Sequence, residues 1–226
     1  MIQPEHQRRA YLEALGIDVW VPREEVGAQV DGSAESDAHA NLLTWDDLRE
    51  TVAACTSCGL HASRTQTVFG VGNPQADWMI IGEAPGAEED RRGEPFVGRA
   101  GKLLDEMLRA VGQGRDRVFI ANILKCRPPN NRDPKPEESA ACRGYLQRQI
   151  ELIQPKIILA VGRIAAHLLL ETDEPVGRLR GSRHQLGDTP LVVTYHPAYL
   201  LRSPSQKRKA WDDLCLAKQL LRETGA

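Results

Sequence analysis

Four short apolar runs, separated by stretches of helical periodicity, constrain this chain more than any other feature. Trp78 to Ile81, Val118 to Leu124, Lys156 to Val161 and Leu191 to Tyr195 are each of strand length. Between and after them lie helical patterns. Lys102 to Val111 sets Leu103, Leu104, Met107, Leu108 and Val111 on one face. Pro136 to Ile153 opens with Pro and Glu in its first turn. Arg163 to Leu170 and Ser205 to Arg222 complete the alternation. Strands that are apolar throughout need cover on both faces, and strands divided by helices run mostly parallel. The expected fold is therefore α/β, with a central, mostly parallel four-stranded sheet flanked by helices on both faces. In such sheets ligands bind beyond the carboxyl ends of the strands, so residues there are the first candidates for chemistry.

The folded unit is expected over residues 43–226. Thr44 would cap a helix running through Trp45, Leu48 and Val52 toward Cys55. Ahead of it, Arg8 to Leu15 reads as a short amphipathic helix and Ile17 to Val21 as an extended stretch. Gly27 to Ala40 has a linker's composition, which makes residues 1–42 an acidic extension. The net charge of −2 hides an asymmetry: residues 1–50 carry 4 Lys/Arg against 11 Asp/Glu, whereas the remainder is net positive by 5. Basic residues cluster at Lys125, Arg127, Arg132 and Lys135, at Arg178, Arg180 and Arg183, and at Arg202, Lys207, Arg208 and Lys209. Such clusters suit phosphate contacts or solvated loops. No apolar run approaches the roughly 20 residues of a membrane span. The first residues lack the basic start and apolar core of a signal peptide, so a cytoplasmic location is expected.

In that compartment the cysteines are expected as ligands or buried thiols rather than disulfides. Cys55 and Cys58 form a C-x2-C chelate, and Cys126 and Cys142 flank a Pro-rich loop and the helix beyond it. This matches neither the paired C-x2-C of a zinc ribbon nor ferredoxin spacing, so it indicates a four-thiolate metal site without choosing zinc or iron–sulfur. Cys215, between Leu214 and Leu216, is expected in the core.

Three candidate side chains fall at strand carboxyl ends. Glu83 lies in Gly82-Glu83-Ala84-Pro85-Gly86, a sharp loop whose N–H groups can face a ligand, with Glu88, Glu89 and Asp90 following. Asn122 ends the second strand and can offer an amide's paired donor and acceptor. His196 opens H-P-A-Y-L-L-R after the fourth, with Leu200 and Leu201 expected exposed and Arg202 suited to phosphate. Phe96 stands in E-P-F-V-G ahead of a helix.

Taken together, the Cys55/Cys58 pair, G-E-A-P-G, E-P-F-V-G-R-A-G, N-I-L-K-C-R-P-P, Cys142 and H-P-A-Y-L-L-R resemble the family-4 uracil-DNA glycosylases over Leu43 to Leu221. The resemblance implies a monomeric base-excision-repair enzyme of single- or double-stranded DNA that flips uracil out and hydrolyses its N-glycosidic bond. Residues 43–226 would be its catalytic domain. It implies a [4Fe–4S] cluster on Cys55, Cys58, Cys126 and Cys142. Phe96 would stack on the base, Asn122 would read its edge, and Gly82 and Ala84 would line the pocket. His196 would donate to O2 of the departing uracil. Glu83, with Glu89 as the second choice, would position the water, because Ala84 stands where family-1 enzymes carry an Asp. Leu200 would wedge into the vacated stack, and Arg202 and Arg127 would hold phosphates. The branch that captures uracil on a His of an inserted basic loop is not matched, since Lys125 to Pro136 contains no His. The competing expectation is a catalytically silent nucleic-acid-binding protein holding iron–sulfur or zinc.

Overall fold

The computed structural model describes residues 43–224, so the helix, extended stretch and linker expected over residues 1–42 lie outside the described residues. The first helix is α1, Trp45–Ala54, and Thr44 caps it in a reciprocal box with Asp47. Strand β1, Val71–Gly72, precedes β2, Trp78–Gly82, and two helices, α2 at Ala87–Arg92 and α3 at Arg99–Ala110. Then come β3, Val118–Asn122, the long α4, Pro136–Ile153, and β4, Ile157–Val161. Helices α5, Arg163–Leu170, and α6, Val176–Leu179, lead to the hairpin of β5, Arg183–Leu186, and β6, Thr189–Thr194. The chain closes with α7, Pro197–Arg202, and α8, Lys207–Thr224.

The strands form one six-stranded sheet in the order β1-β3-β2-β4-β6-β5. The four expected strands are its parallel centre, and β1 and β5 are antiparallel edges that add two strands to the expected number. Side-chain alternation explains the double cover. Along β2, Met79 and Ile81 enter one apolar core while Trp78 and Ile80 enter the other. The first core is closed by Leu48 and Val52 of α1, Leu146 and Ile153 of α4, and Ala165 and Ala166 of α5. The second is closed by Leu104 and Leu108 of α3 and by Leu214, Ala217 and Leu220 of α8. Trp45 fixes α1 to the sheet, its ring edge-on to Phe69 and Phe119 at 5.2 Å each. Among the described residues no helix is long and apolar enough to cross a membrane.

Three side-chain placements differ from expectation. Cys215 is exposed rather than in the core, because the inward stripe of α8 is taken by Leu214, Ala217 and Leu220. Lys125 is buried to 1% exposure and cannot serve as a phosphate contact. H-P-A-Y-L-L-R winds into the short helix α7, which turns Leu200 inward (1% exposed) and leaves Leu201 outside (38% exposed). In this arrangement the expected wedge Leu200 is buried, and Leu201 is the leucine that faces out.

Candidate active site and cysteine cavity

Asn122 ends β3 directly opposite Gly82 of β2, so two adjacent parallel strands deliver their last residues together. A Cβ on Gly82 would come within 2.5 Å of Asn122 Oδ1 and 2.6 Å of Phe96 Cζ, so glycine is what allows this close approach. Asn122 is 2% exposed, yet its Oδ1 has no hydrogen-bond partner among the described residues. A buried acceptor left empty costs about 1–3 kcal/mol, and this one lies at a strand carboxyl end, where it faces the cavity that Phe96 also lines.

Phe96 borders the same space with a left-handed backbone (φ 54°), uncommon for an aromatic residue. Arg115 holds it there, donating to the Phe96 carbonyl at 3.2 and 3.0 Å and to that of Pro95 at 2.6 Å. Gly101 lets α3 press against the turn, since a Cβ there would meet the Phe96 carbonyl oxygen at 1.7 Å. Glu89 completes the brace: its Oε1 accepts from the N–H groups of Val97 and Gly98 at 3.0 and 3.2 Å. The carboxylate expected as a second water-positioning group is thus engaged in holding the Phe96 turn.

His196 lies 5.6 Å from the Phe96 ring, centroid to centroid, at an interplanar angle of 31°. As N-cap of α7 its Nδ1 accepts from the Ala198 N–H at 3.1 Å. That bond leaves the proton of the neutral ring on Nε2. Burial, with the Arg202 guanidinium nearby, pushes the pKa of His196 down to about 4 against the opposing pull of Glu89. The ring is therefore a neutral donor at physiological pH. Behind it, Thr194 donates to the buried Asp213 at 2.9 Å, and Arg180 grips the same carboxylate at 2.7 and 3.1 Å. Glu83 is half-buried, and burial together with the Asp133 carboxylate raises its pKa to about 7, while Arg163 opposes the shift.

Glu83, Phe96, Asn122, His196 and Arg202 share one cavity of about 460 Å³ with the Ala84–Gly86 loop. The N–H groups of Ala84 and Gly86 have no acceptor among the described residues. Arg127 does not itself line this cavity but donates at 2.8 Å to Oδ1 of Asn131, which does. Arg202 lies at the rim with no carboxylate partner among the described residues.

The four cysteines meet at a separate hollow beside the end of β3. Cys55 ends α1, Cys58 opens the following turn, Cys126 follows β3 by four residues, and Cys142 projects from α4. All four line one hollow with Arg64, Lys125 and Tyr145. Donors point at the sulfurs: Arg64 to Cys126 at 3.1 Å, the Lys125 N–H to Cys142 at 3.4 Å, and the Ser57 N–H to Cys55 at 3.5 Å. Burial pushes the Cys142 thiol up to about 12. Among the described residues no group of three or more His, Cys, Asp or Glu side chains converges as the ligands of a single metal ion do.

Lys125 links the two cavities. Its Nζ donates to the Asn122 carbonyl at 2.9 Å and to Gln149 Oε1 at 2.6 Å, while Gln149 donates onward to the Phe69 carbonyl at 2.9 Å. Both partners of the ammonium are neutral, and burial lowers its pKa to about 8 against the pull of Cys142. Sequence reasoning missed Arg115, Arg64 and this role of Lys125. Their partners lie 17 to 62 positions away or are main-chain oxygens, and no local pattern announces either.

Residues 69–215 match the family model of the uracil DNA glycosylase superfamily. The type-4 uracil-DNA glycosylase of Archaeoglobus fulgidus is 42% identical over 188 residues, covering 77% of this chain and 94% of the relative. That of Thermotoga maritima is 44% identical over 180 residues, covering 78% and 94%. Similarity to a type-5 uracil-DNA glycosylase of Thermus thermophilus is 35% over 118 residues, covering 46% and 53%.

Proposed function

The chain belongs to the uracil-DNA glycosylase superfamily, and from that premise we propose that it is a type-4 enzyme, which excises uracil from DNA and leaves an abasic site. The observation that carries the site assignment is the buried, unpartnered Asn122 Oδ1 beside the Phe96 ring. Uracil turned out of the stack lies on Phe96, and its N3–H fills the vacant acceptor while the amide N–H donates to O4. Cytosine presents the reverse pattern at those two positions and leaves buried polar groups unpaired, which rejects it.

Breaking the bond between C1′ and N1 sends its electron pair into the base and leaves an oxocarbenium-like sugar. The Nε2–H of neutral His196 donates to the charge growing on O2, and the free N–H groups of Ala84 and Gly86 are available to the same anion. One such donor is worth about 3–4 kcal/mol in a water-poor site. Glu83, ionised above about 7, orients a water and takes its proton as the oxygen bonds to C1′. Arg202 holds a flanking phosphate, and Leu201, exposed where Leu200 is not, faces the vacated stack.

Cys55, Cys58, Cys126 and Cys142 are assigned to an iron–sulfur cluster of the [4Fe–4S] kind. Two features support the fit. All four thiols line one hollow, and N–H groups of Arg64, Lys125 and Ser57 point at three of the sulfurs, as suits thiolate ligands. Lys125 is a fully buried cation whose partners are neutral oxygens, an arrangement costing several kcal/mol unless an anionic group lies beside it. When bound, the cluster supplies a rigid, negatively charged brace and no open ligand position for substrate. The acting groups on DNA are those of the strand-end loops. The protein is further proposed to act as a cytoplasmic monomer, with residues 43–226 as the catalytic domain.

Iron-replete protein should render a uracil-containing oligonucleotide alkali-labile while releasing free uracil. An oligonucleotide left intact would overturn the assignment.

A further inference from the structure

A second cavity of about 440 Å³ adjoins the uracil cavity, and its far side has no part in the chemistry described above. Glu83, His196 and Arg202 line both, so they form a shared wall. The far side is apolar and aromatic, made by Ile164, Val176, Tyr195 and Tyr199. The tyrosine rings pack at 5.1 Å with a 38° tilt. Tyr195 is backed by the Arg180 guanidinium, 5.9 Å from its ring centre and itself fixed by Asp213. Tyr199 is 36% exposed. At the rim, Arg163 pairs with Asp133 at 2.5 Å, joining the lining of one cavity to that of the other.

We propose that this second cavity receives the nucleobase adjacent to the flipped uracil, with Tyr199 as its stacking platform. The occupant is fixed by continuity. A nucleotide whose base lies in the first cavity continues, one phosphodiester away, across the shared wall into the second. Arg202 stands on that wall and lacks a carboxylate partner among the described residues, as a ligand for the intervening phosphate should. A flat apolar base fits an aromatic and aliphatic lining, and every base offers a π-face, so the subsite tolerates sequence. A base can enter only if it is unpaired, so the subsite acts on single-stranded or locally opened DNA. The inference rests on the uracil-excision assignment and extends it to the neighbouring nucleotide.

The test removes the base from the DNA as well as the platform from the protein. Single-stranded oligonucleotides carry one uracil flanked by normal bases, or by a tetrahydrofuran abasic residue on its 5′ or its 3′ side. Cleavage of the normal substrate by the wild type establishes the underlying activity in the same experiment. With the wild type, kcat/KM should fall about tenfold for one of the abasic flanks, equivalent to about 1.4 kcal/mol. That lies within the range of base–aromatic stacking. Tyr199→Ala should start about tenfold lower on the normal substrate and lose less than about twofold more on the abasic one, because the same contact is already gone. A wild type that cuts the normal substrate but is indifferent to both abasic flanks overturns the subsite, whatever the variant does. Additive losses in Tyr199→Ala would overturn the role of Tyr199. A wild type that cuts no uracil substrate removes the premise, and the subsite falls with it.

Discussion

Gly82→Ala is the smallest change that should disable the site while leaving the fold in place. The methyl group would start 2.5 Å from Asn122 Oδ1 and 2.6 Å from Phe96 Cζ, where ordinary contact begins at 3.4 Å. Asn122 must therefore retreat by about 0.9 Å and Phe96 by about 0.8 Å, and both are tightly confined. Phe96 is held by Arg115 and by the approach of Gly101, and Asn122 is the last residue of a central strand. Misplacing a positioning group by about 1 Å costs on the order of 100-fold in rate. Overpacking should cost about 1–3 kcal/mol of stability. The backbone of Gly82 is not left-handed, so alanine adds no conformational strain. Single-turnover excision from a single-stranded uracil oligonucleotide, alongside a thermal melt, separates the two effects. A folded Gly82→Ala protein with a rate within about threefold of wild type would refute the proposed packing of the base-reading groups.

Below pH 7, kcat/KM should drop about tenfold per unit as Glu83 takes up its proton, its pKa being raised to about 7 by burial and by Asp133. His196, pushed down to about 4, stays neutral across that window, so Glu83→Gln should flatten the acid limb and His196→Gln should not. Lys125→Met keeps an unbranched side chain of similar reach but removes the buried cation. The iron-loaded variant should lose its absorbance near 400 nm at a lower temperature than wild type, by a margin reflecting roughly 3–5 kcal/mol of uncompensated buried charge. Equal thermal stability of the chromophore would count against Lys125 as its counter-cation. Cys142→Ser should purify with depleted iron, whereas Cys215→Ser, altering an exposed thiol of α8, should retain the full complement. Iron analysis of the two side by side decides the ligand set.

The central strands were legible because each is apolar on both faces and flanked by helical periodicity. The edge strands were not. β1 is two residues long, and Arg183-His184-Gln185-Leu186 becomes β5 through pairing with β6 rather than through hydrophobicity. The catalytic candidates fell at strand carboxyl ends, a position topology alone marks as a site, and Glu83, Asn122, Phe96 and His196 do share one cavity. What escaped was set by rotation or by distance along the chain. The single turn of α7 decides which of Leu200 and Leu201 faces out. The face of α8 exposes Cys215, and a long reach turns Lys125 from a surface base into a buried link. Arg115 is invisible as a partner of Phe96 because the contact is to a carbonyl, which every residue possesses.

The most direct measurement compares wild type, Asn122→Ala and His196→Ala on U:G, U:A and single-stranded substrates, reading free uracil against alkali-labile strand. Wild type should release one uracil per abasic site from at least one of these substrates. Each variant should be slower by about 100- to 1,000-fold, the loss expected for one buried transition-state or base-reading contact. Wild-type protein that binds all three substrates but releases no uracil, or variants that release it at the wild-type rate, would contradict the account.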